Sequence, residues 1–328
     1  MYYLATAALT VAAASGRVTA GDVNVRPVVG IYAAPFHHSS TGCSGSKGCD
    51  YVAASYVKWL ESAGARSLPI LYDSTSADID AIFPQINGVL LPGGGSSLPD
   101  GAKRIVELAM QASDNGTHFP VWGTCLGFEW LMEIVGGSDV LGSGFDSENI
   151  TMALNLTSAA SSSRLLGATK GVDGHRDRSE DAAAQLRTDL SNTANPPAMN
   201  NHQAGVTPAT FKENSKLNSF FDVLSTNVDR KGRAFVSTVE SKTYPVYGTQ
   251  WHPEKNNFEW GMRTDGTPYE VINHTPEAVH ASQALANYFV GECRRNSHKV
   301  QEGTKLFWNY PISLAAAPEF EECYTISL

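Results

Sequence analysis

Phe119-Pro-Val-Trp-Gly-Thr-Cys-Leu-Gly-Phe-Glu129 is the stretch on which the reading of this chain turns. Phe119 to Cys125 is an apolar run too short for a helix and reads as a buried strand. LGFEWLMEIVGG, Leu126 to Gly137, carries apolar residues at helical spacing and closes on a glycine pair. A strand running straight into a helix is half of a parallel βα unit. At the junction stands Gly123-Thr124-Cys125-Leu126-Gly127, a G-x-C-x-G in which both glycines permit a sharp turn that exposes the side chain between them. The helix N-terminus favours a thiolate at Cys125, and the Leu126 N–H points where an oxyanion would form. A lone cysteine is more often an inert core residue, but the strand-turn-helix context favours a nucleophile.

The same alternation extends upstream. RPVVGIYAA (26–34) reads as a strand, DYVAASYVKWLESAGA (50–65) as a helix, RSLPILY (66–72) as a strand and ADIDAIFPQI (77–86) as a short helix. NGVLLPGGG (87–95) is a strand ending in glycines, followed by a helix over GAKRIVELAMQASDNG (101–116). Downstream, 158–200 turns Ser/Ala-rich and then charged, a surface excursion rather than a new domain. Strands follow over 220–227, 232–241 and 244–251, then a helix over 275–296 with Thr275 as N-cap and Pro276 at its first position. Repeated βα units predict a three-layer α/β/α sandwich with a mostly parallel central sheet, one domain over 21–298 and a C-terminal tail over 299–328. Ligands of such sheets bind beyond the carboxyl ends of the strands, where the Gly93 and Cys125 turns fall.

The chain has 328 residues and a formal net charge of −9, without the clustered Lys and Arg that neutralising a nucleic-acid backbone requires. Leu4 to Ala14 is apolar but too short to span a bilayer, and Val18-Thr19-Ala20 makes a small-residue cleavage pattern, so 1–20 reads as a signal peptide. Asn115, Asn149, Asn155 and Asn273 head Asn-x-Ser/Thr sequons, glycosylation sites in a secretory chain. The five cysteines fit two disulfides and one free thiol in an oxidising compartment. Cys43 and Cys49 are close in sequence, Cys293 and Cys323 flank the C-terminal segment, and Cys125 is left over. Four cysteines allow three connectivities, so this pairing rests on proximity. The His37-His38 pair and the other histidines match no zinc spacing; neither metal nor cofactor is expected.

Pro92-Gly93-Gly94-Gly95 ends a strand, and the Gly94 or Gly95 N–H is a candidate second oxyanion donor; alone, such a turn is equally a phosphate loop or a plain turn. Trp251-His252-Pro253-Glu254 sets a histidine two residues before a carboxylate, so that His252 can accept a thiol proton while Glu254 fixes its tautomer.

The order of a Pro-Gly-Gly loop, a G-x-C-x-G and a Gln-Trp-His-Pro-Glu segment resembles the class I glutamine amidotransferase-like superfamily and its Cys-His-Glu triad. YVAASYVKWLESAGA, FPVWGTCLGFE and YPVYGTQWHPEK resemble γ-glutamyl hydrolase, the cysteine peptidase that cleaves folate polyglutamates, from about Arg26 to Asn296. The resemblance implies Cys125 as nucleophile, His252 as base, Glu254 as third member and His202, in MNNHQAGV, as a substrate-binding histidine. Amidotransferases carry His-Gln where Phe128-Glu129 stands here; Glu129 either orients the glutamyl substrate or is a first-turn acid favoured by the helix dipole. It also implies a folate-polyglutamate substrate, no membrane or nucleic-acid partner, a homodimer, and a lysosomal, vacuolar or extracellular destination. The rival readings are a glutaminase that passes ammonia to a synthase and a secreted, non-catalytic binding protein of the same fold.

Overall fold

The computed structural model describes residues 23–36, 49–169, 178–314 and 320–327. The expected leader, His37-His38 and Cys43 lie outside the described residues.

In chain order the first half holds Val28–Tyr32 (β1), Ala34–Phe36 (β2), Cys49–Ala53 (β3), Ala54–Ser62 (α1), Arg66–Ile70 (β4), Ser76–Ile82 (α2), Gly88–Leu91 (β5), Asp100–Asp114 (α3), Val121–Thr124 (β6), Leu126–Gly136 (α4), Gly142–Met152 (β7) and Asn155–Leu156 (β8). There follow Glu180–Leu190 (α5), Ala198–Gly205 (β9), Pro208–Glu213 (α6), Ser215–Phe220 (α7), Phe221–Val228 (β10), Ala234–Ser241 (β11), Val246–Thr249 (β12), Lys255–Phe258 (α8), Pro276–Cys293 (α9), Ile312–Leu314 (β13) and Glu322–Ser327 (β14).

The central sheet runs β4-β1-β5-β6-β12-β11-β10-β8. β4, β1, β5, β6 and β12 are mutually parallel, and β11, β10 and β8 extend the sheet antiparallel. The parallel strands are buried on both faces, which is why they read as unbroken apolar runs. Their alternate residues feed two cores. Val29, Ile31, Leu90, Trp122 and Tyr247 join Trp59 of α1 and Phe289 of α9 on one face. Val28, Val89, Leu91, Val121 and Val246 join Ile105 of α3 and Leu131 of α4 on the other. Trp122 lies 5.3 Å, centroid to centroid, from Trp59 and 5.6 Å from Phe289, and burying each such ring stabilises the fold by about 1.5–3 kcal/mol. The α/β/α layering is therefore the one the βα alternation implies.

Several expectations need correction. The apolar run beginning at Asp50 is not all helix: Cys49–Ala53 is a strand, and only Ala54–Ser62 is helical. The stretch over 158–200 carries α5, whose Leu186 and Leu190 share the α9-side core, so part of it is structural filling. β7 and β9 form a separate two-stranded ribbon, which the sequence reading did not anticipate. The tail folds back as well: β13 and β14 join β3 and β2 in a second sheet, with Lys58 of α1 salt-bridged to Glu322.

The expected bridge between Cys293 and Cys323 is not formed, and Cys293 keeps its thiol. Cys293 ends α9 against the start of β5, its Sγ 2.7 Å from where a Gly88 Cβ would sit, whereas Cys323 lies in β14 opposite Ala53. The two are held in different sheets' packing, and proximity in sequence was no guide. Cys49 sits at the start of β3.

Candidate active site

Cys125 lies between the end of β6 and the first turn of α4, with φ 50° and ψ −104°. A non-glycine residue in that region is strained and persists only where its surroundings over-determine it. Here the Cys125 N–H donates to Thr249 O (2.8 Å), the Gly127 N–H to Pro92 O (3.0 Å) and the Glu129 N–H to Cys125 O (2.9 Å). The two glycines are steric requirements: a Cβ on Gly127 would stand 2.0 Å from Leu91 O, and one on Gly123 2.6 Å from Gly127 O. β5, β6 and α4 can therefore approach this closely only without side chains there.

The glycine loop after β5 meets the same point. A Cβ on Gly93 would fall 2.6 Å from His252 Cε1, 2.8 Å from the Tyr56 hydroxyl and 3.4 Å from Cys125 Cβ. Gly94 lies against Leu126, its virtual Cβ 3.5 Å from Leu126 Cδ2, whereas Gly95 is in open space. His252 and Glu254 follow β12, the strand beside β6, and His252 Nδ1 is 2.8 Å from Glu254 Oε1. The His252 N–H donates to Met199 O of β9 (2.9 Å), tying the ribbon to the site.

Tyr56 was missed as a site residue. Its hydroxyl accepts the Gly93 N–H (2.8 Å) and stands 3.3 Å from His252 Nδ1. In the sequence it is one apolar-face position of a helix like its neighbours; its partners are 37 and 196 residues away.

His202 also enters the site. Its Nδ1 is 2.7 Å from Ala204 O, its ring packs edge-on to Phe235 at 4.7 Å, and its buried Nε2 has no protein partner. Burial, and then the proximity of His252, lower it to about 4, so it is neutral at physiological pH. Glu129 is buried with Oε1 accepting from Gln250 Nε2 (3.0 Å), and burial pushes it up to about 7. The Cys125 thiol is also pushed well up, by burial first and by the Glu129 carboxylate next; the Leu126 N–H pulls the other way and loses. The helix N-terminus therefore does not by itself make a resting thiolate, and ionisation needs a base. A cavity of about 590 Å³ opens beside Leu126 and Glu129, lined also by Ser96, Ser97 and Lys103.

Of the sequon asparagines, Asn115 follows α3 exposed and Asn155 is exposed in β8. Asn149 and Asn273 are half-buried, their Nδ2 atoms 3.5 Å from Tyr269 O and 3.0 Å from Pro196 O. Among the described residues no group of three or more His, Cys, Asp or Glu is placed to hold a metal, and no helix is long and apolar enough to cross a membrane.

Residues 50–264 match the family model described as glutamine amidotransferase class-I. A cysteine on the turn after β6 and a histidine-glutamate pair after β12 are thus set on a class I amidotransferase fold. The chain is 39% identical to mouse (Mus musculus) gamma-glutamyl hydrolase over 314 residues, covering 91% of this chain and 89% of the relative. It is 37% identical to gamma-glutamyl hydrolase B of Dictyostelium discoideum (87% and 77% covered) and 33% identical to gamma-glutamyl hydrolase 1 of Arabidopsis thaliana (88% and 79% covered). The chain belongs to the γ-glutamyl hydrolase family and is an enzyme.

Proposed function

We propose that this hydrolase cleaves the γ-glutamyl bonds of folylpoly-γ-glutamates, and of antifolates conjugated in the same way, through a Cys125-His252-Glu254 triad and a thioester acyl-enzyme. The observation that carries the reading is the convergence of Cys125, His252 and Tyr56 on the single point a Gly93 Cβ would fill.

Burial keeps the Cys125 proton on sulfur, so attack begins with its transfer to His252. Glu254, 2.8 Å from Nδ1, holds that nitrogen as the donor, leaves Nε2 as the base and stabilises the imidazolium that forms. The thiolate adds to the γ-glutamyl carbonyl, and the oxyanion is met by the Leu126 N–H and a second backbone donor. The Gly93 N–H is committed to Tyr56, so that donor is Gly94 or Gly95, and Gly94, beside Leu126, is the better placed. His252 returns its proton to the leaving amine, and water activated by the same histidine then hydrolyses the thioester. In this reading the glutamyl portion sits in the cavity beside Leu126, where Lys103 is the cation and Glu107, Glu129 and Glu133 are the acids of the lining. Glu129 at its edge is protonated below about pH 7 and then no longer repels the substrate's carboxylates, which suits an acidic compartment. The leader pattern and sequons support a secretory route, and a Cys43–Cys49 disulfide and a homodimer belong to the same reading.

The test is release of glutamate or γ-glutamyl peptides from folyl-pentaglutamate by the protein and its Cys125→Ala variant, at mildly acid and neutral pH, with free glutamine as control. Cleavage of the conjugate that vanishes with Cys125 is the expected result; ammonia from glutamine with the conjugate untouched would replace this reading with a glutaminase.

A further inference from the structure

Lys255 directly follows Glu254 and is 2% exposed; Glu270, its partner, is 6% exposed. Its Nζ donates to both carboxylate oxygens, at 2.6 Å and 2.5 Å. Glu270 Oε1 also accepts from Asn201 Nδ2 (3.1 Å), while Asn201 Oδ1 accepts the Asn149 N–H (3.1 Å). The Cys125 thiol donates to the backbone carbonyl of Asn201, 3.9 Å from Sγ. A continuous set of contacts thus leads from a buried ion pair to the reactive sulfur. Asn149 holds its end from a left-handed conformation, φ 47°, and its Oδ1 accepts the Val271 N–H (2.6 Å), clamping the segment that carries Glu270.

A buried ion pair is weak evidence of a stabilising role, because desolvation offsets most of the attraction and an apolar pair often does as well. The electrostatics around the sulfur supply another role. Glu129 of α4 and Glu254 both oppose a charge on Cys125, and Lys255 is the cation that favours it. The other titratable groups of the site are neutral or are the base itself: Tyr56 of α1, His202 of β9 beside His252, and His252. Lys255 is faced in turn by Glu270, by Glu259 and by the Phe320 ring, 5.4 Å away.

We propose that Lys255 and Glu270 are positioning residues for Cys125: Lys255 is the cation that supports the thiolate once His252 has taken the proton, and Glu270, through Asn201, fixes the carbonyl against which the sulfur rests. This rests on the reading of Cys125 as the nucleophile.

The experiment is the pH dependence of iodoacetamide alkylation at Cys125, followed on its own peptide, in the full chain and in Lys255→Met, Lys255→Arg and Glu270→Gln variants. Lys255→Met is expected to raise the midpoint by about one pH unit and to slow alkylation several-fold at a fixed pH below it. Lys255→Arg, which keeps the charge, leaves the midpoint in place. Glu270→Gln lowers it, since one negative charge opposing the thiolate is gone. A structural brace would move Lys255→Met and Glu270→Gln in the same direction; that result, or midpoints that do not move, overturns the proposal. Should Lys255→Met fail to fold, the Glu270→Gln and Lys255→Arg variants still decide it, by a lowered and an unchanged midpoint. Opposite midpoint shifts alongside undiminished hydrolysis by Cys125→Ala would break the triad reading and leave the electrostatic one standing.

Discussion

Two buried polar clusters sit at opposite ends of β12, and they are finished to different standards. Near its start, Tyr247 donates to Glu292 (3.1 Å) and pairs with Tyr288 (3.0 Å), while His118 Nε2 lies 2.9 Å and Arg295 3.6 Å from the same carboxylate. Among the described residues none of these side chains leaves a buried polar atom without a partner. Beyond its other end, Gln250 Oε1, Glu254 Oε2 and His202 Nε2 are all buried and all without one. Leaving a buried donor or acceptor unmet costs about 1–3 kcal/mol, so a fold that satisfies one cluster and not the other is holding hydrogen-bonding capacity in reserve at the second.

The comparison breaks most visibly by deleting one member at each end. His252→Ala should lower kcat/KM for a γ-glutamyl substrate by about 10³-fold or more while leaving the melting temperature close to that of the parent, as steady-state kinetics and thermal denaturation would show. Gly127→Ala drives a methyl group into Leu91 O; it should cost about 1–3 kcal/mol in denaturant unfolding and most of the activity, because the turn that presents Cys125 cannot close. Tyr247→Phe should do the reverse of His252→Ala: a stability loss of about 1–2 kcal/mol with kcat/KM per folded molecule unchanged.

A last effect depends on pH. Glu129 is raised from 4.5 to about 7, so the folded state binds a proton that the unfolded state has already lost. Its contribution is fully present below about pH 4.5 and is lost as pH rises through 7. Glu129→Gln has no such loss, so its unfolding free energy in denaturant should gain on the parent's between pH 5 and 8, by about 3 kcal/mol at the most. A constant difference across that range would mean the carboxyl is not held protonated.

The parallel core was legible because strands buried on both faces read as apolar runs and α3 and α4 carry helical periodicity between turn residues. The elbow was legible because a Gly-x-Cys-x-Gly has one steric meaning at a strand-to-helix turn, and His252 and Glu254 because two residues of spacing bring them into contact. What stayed hidden was set by distant contacts. The ribbon strands GSGFDSENITM and AMNNHQAG are rich in polar residues, the first half-exposed and the second largely buried, and the sheet they form is only two strands wide. DYVAA fits the end of a strand or the first turn of a helix equally well, and β14, tens of residues beyond the last helix, decides it by pairing there. Tyr56 and Lys255 act on the site through partners that no local pattern announces, and the burial that raises the Cys125 thiol is a property of packing.

The most direct test of Cys125 as the nucleophile is to alkylate the protein in stages, quantify the modification on the Cys125 peptide, and measure hydrolysis of a γ-linked glutamyl substrate at each stage. Activity falling in proportion to the fraction of Cys125 modified, with none left at completion, is the predicted result. Full activity from a protein whose Cys125 is entirely alkylated would contradict it.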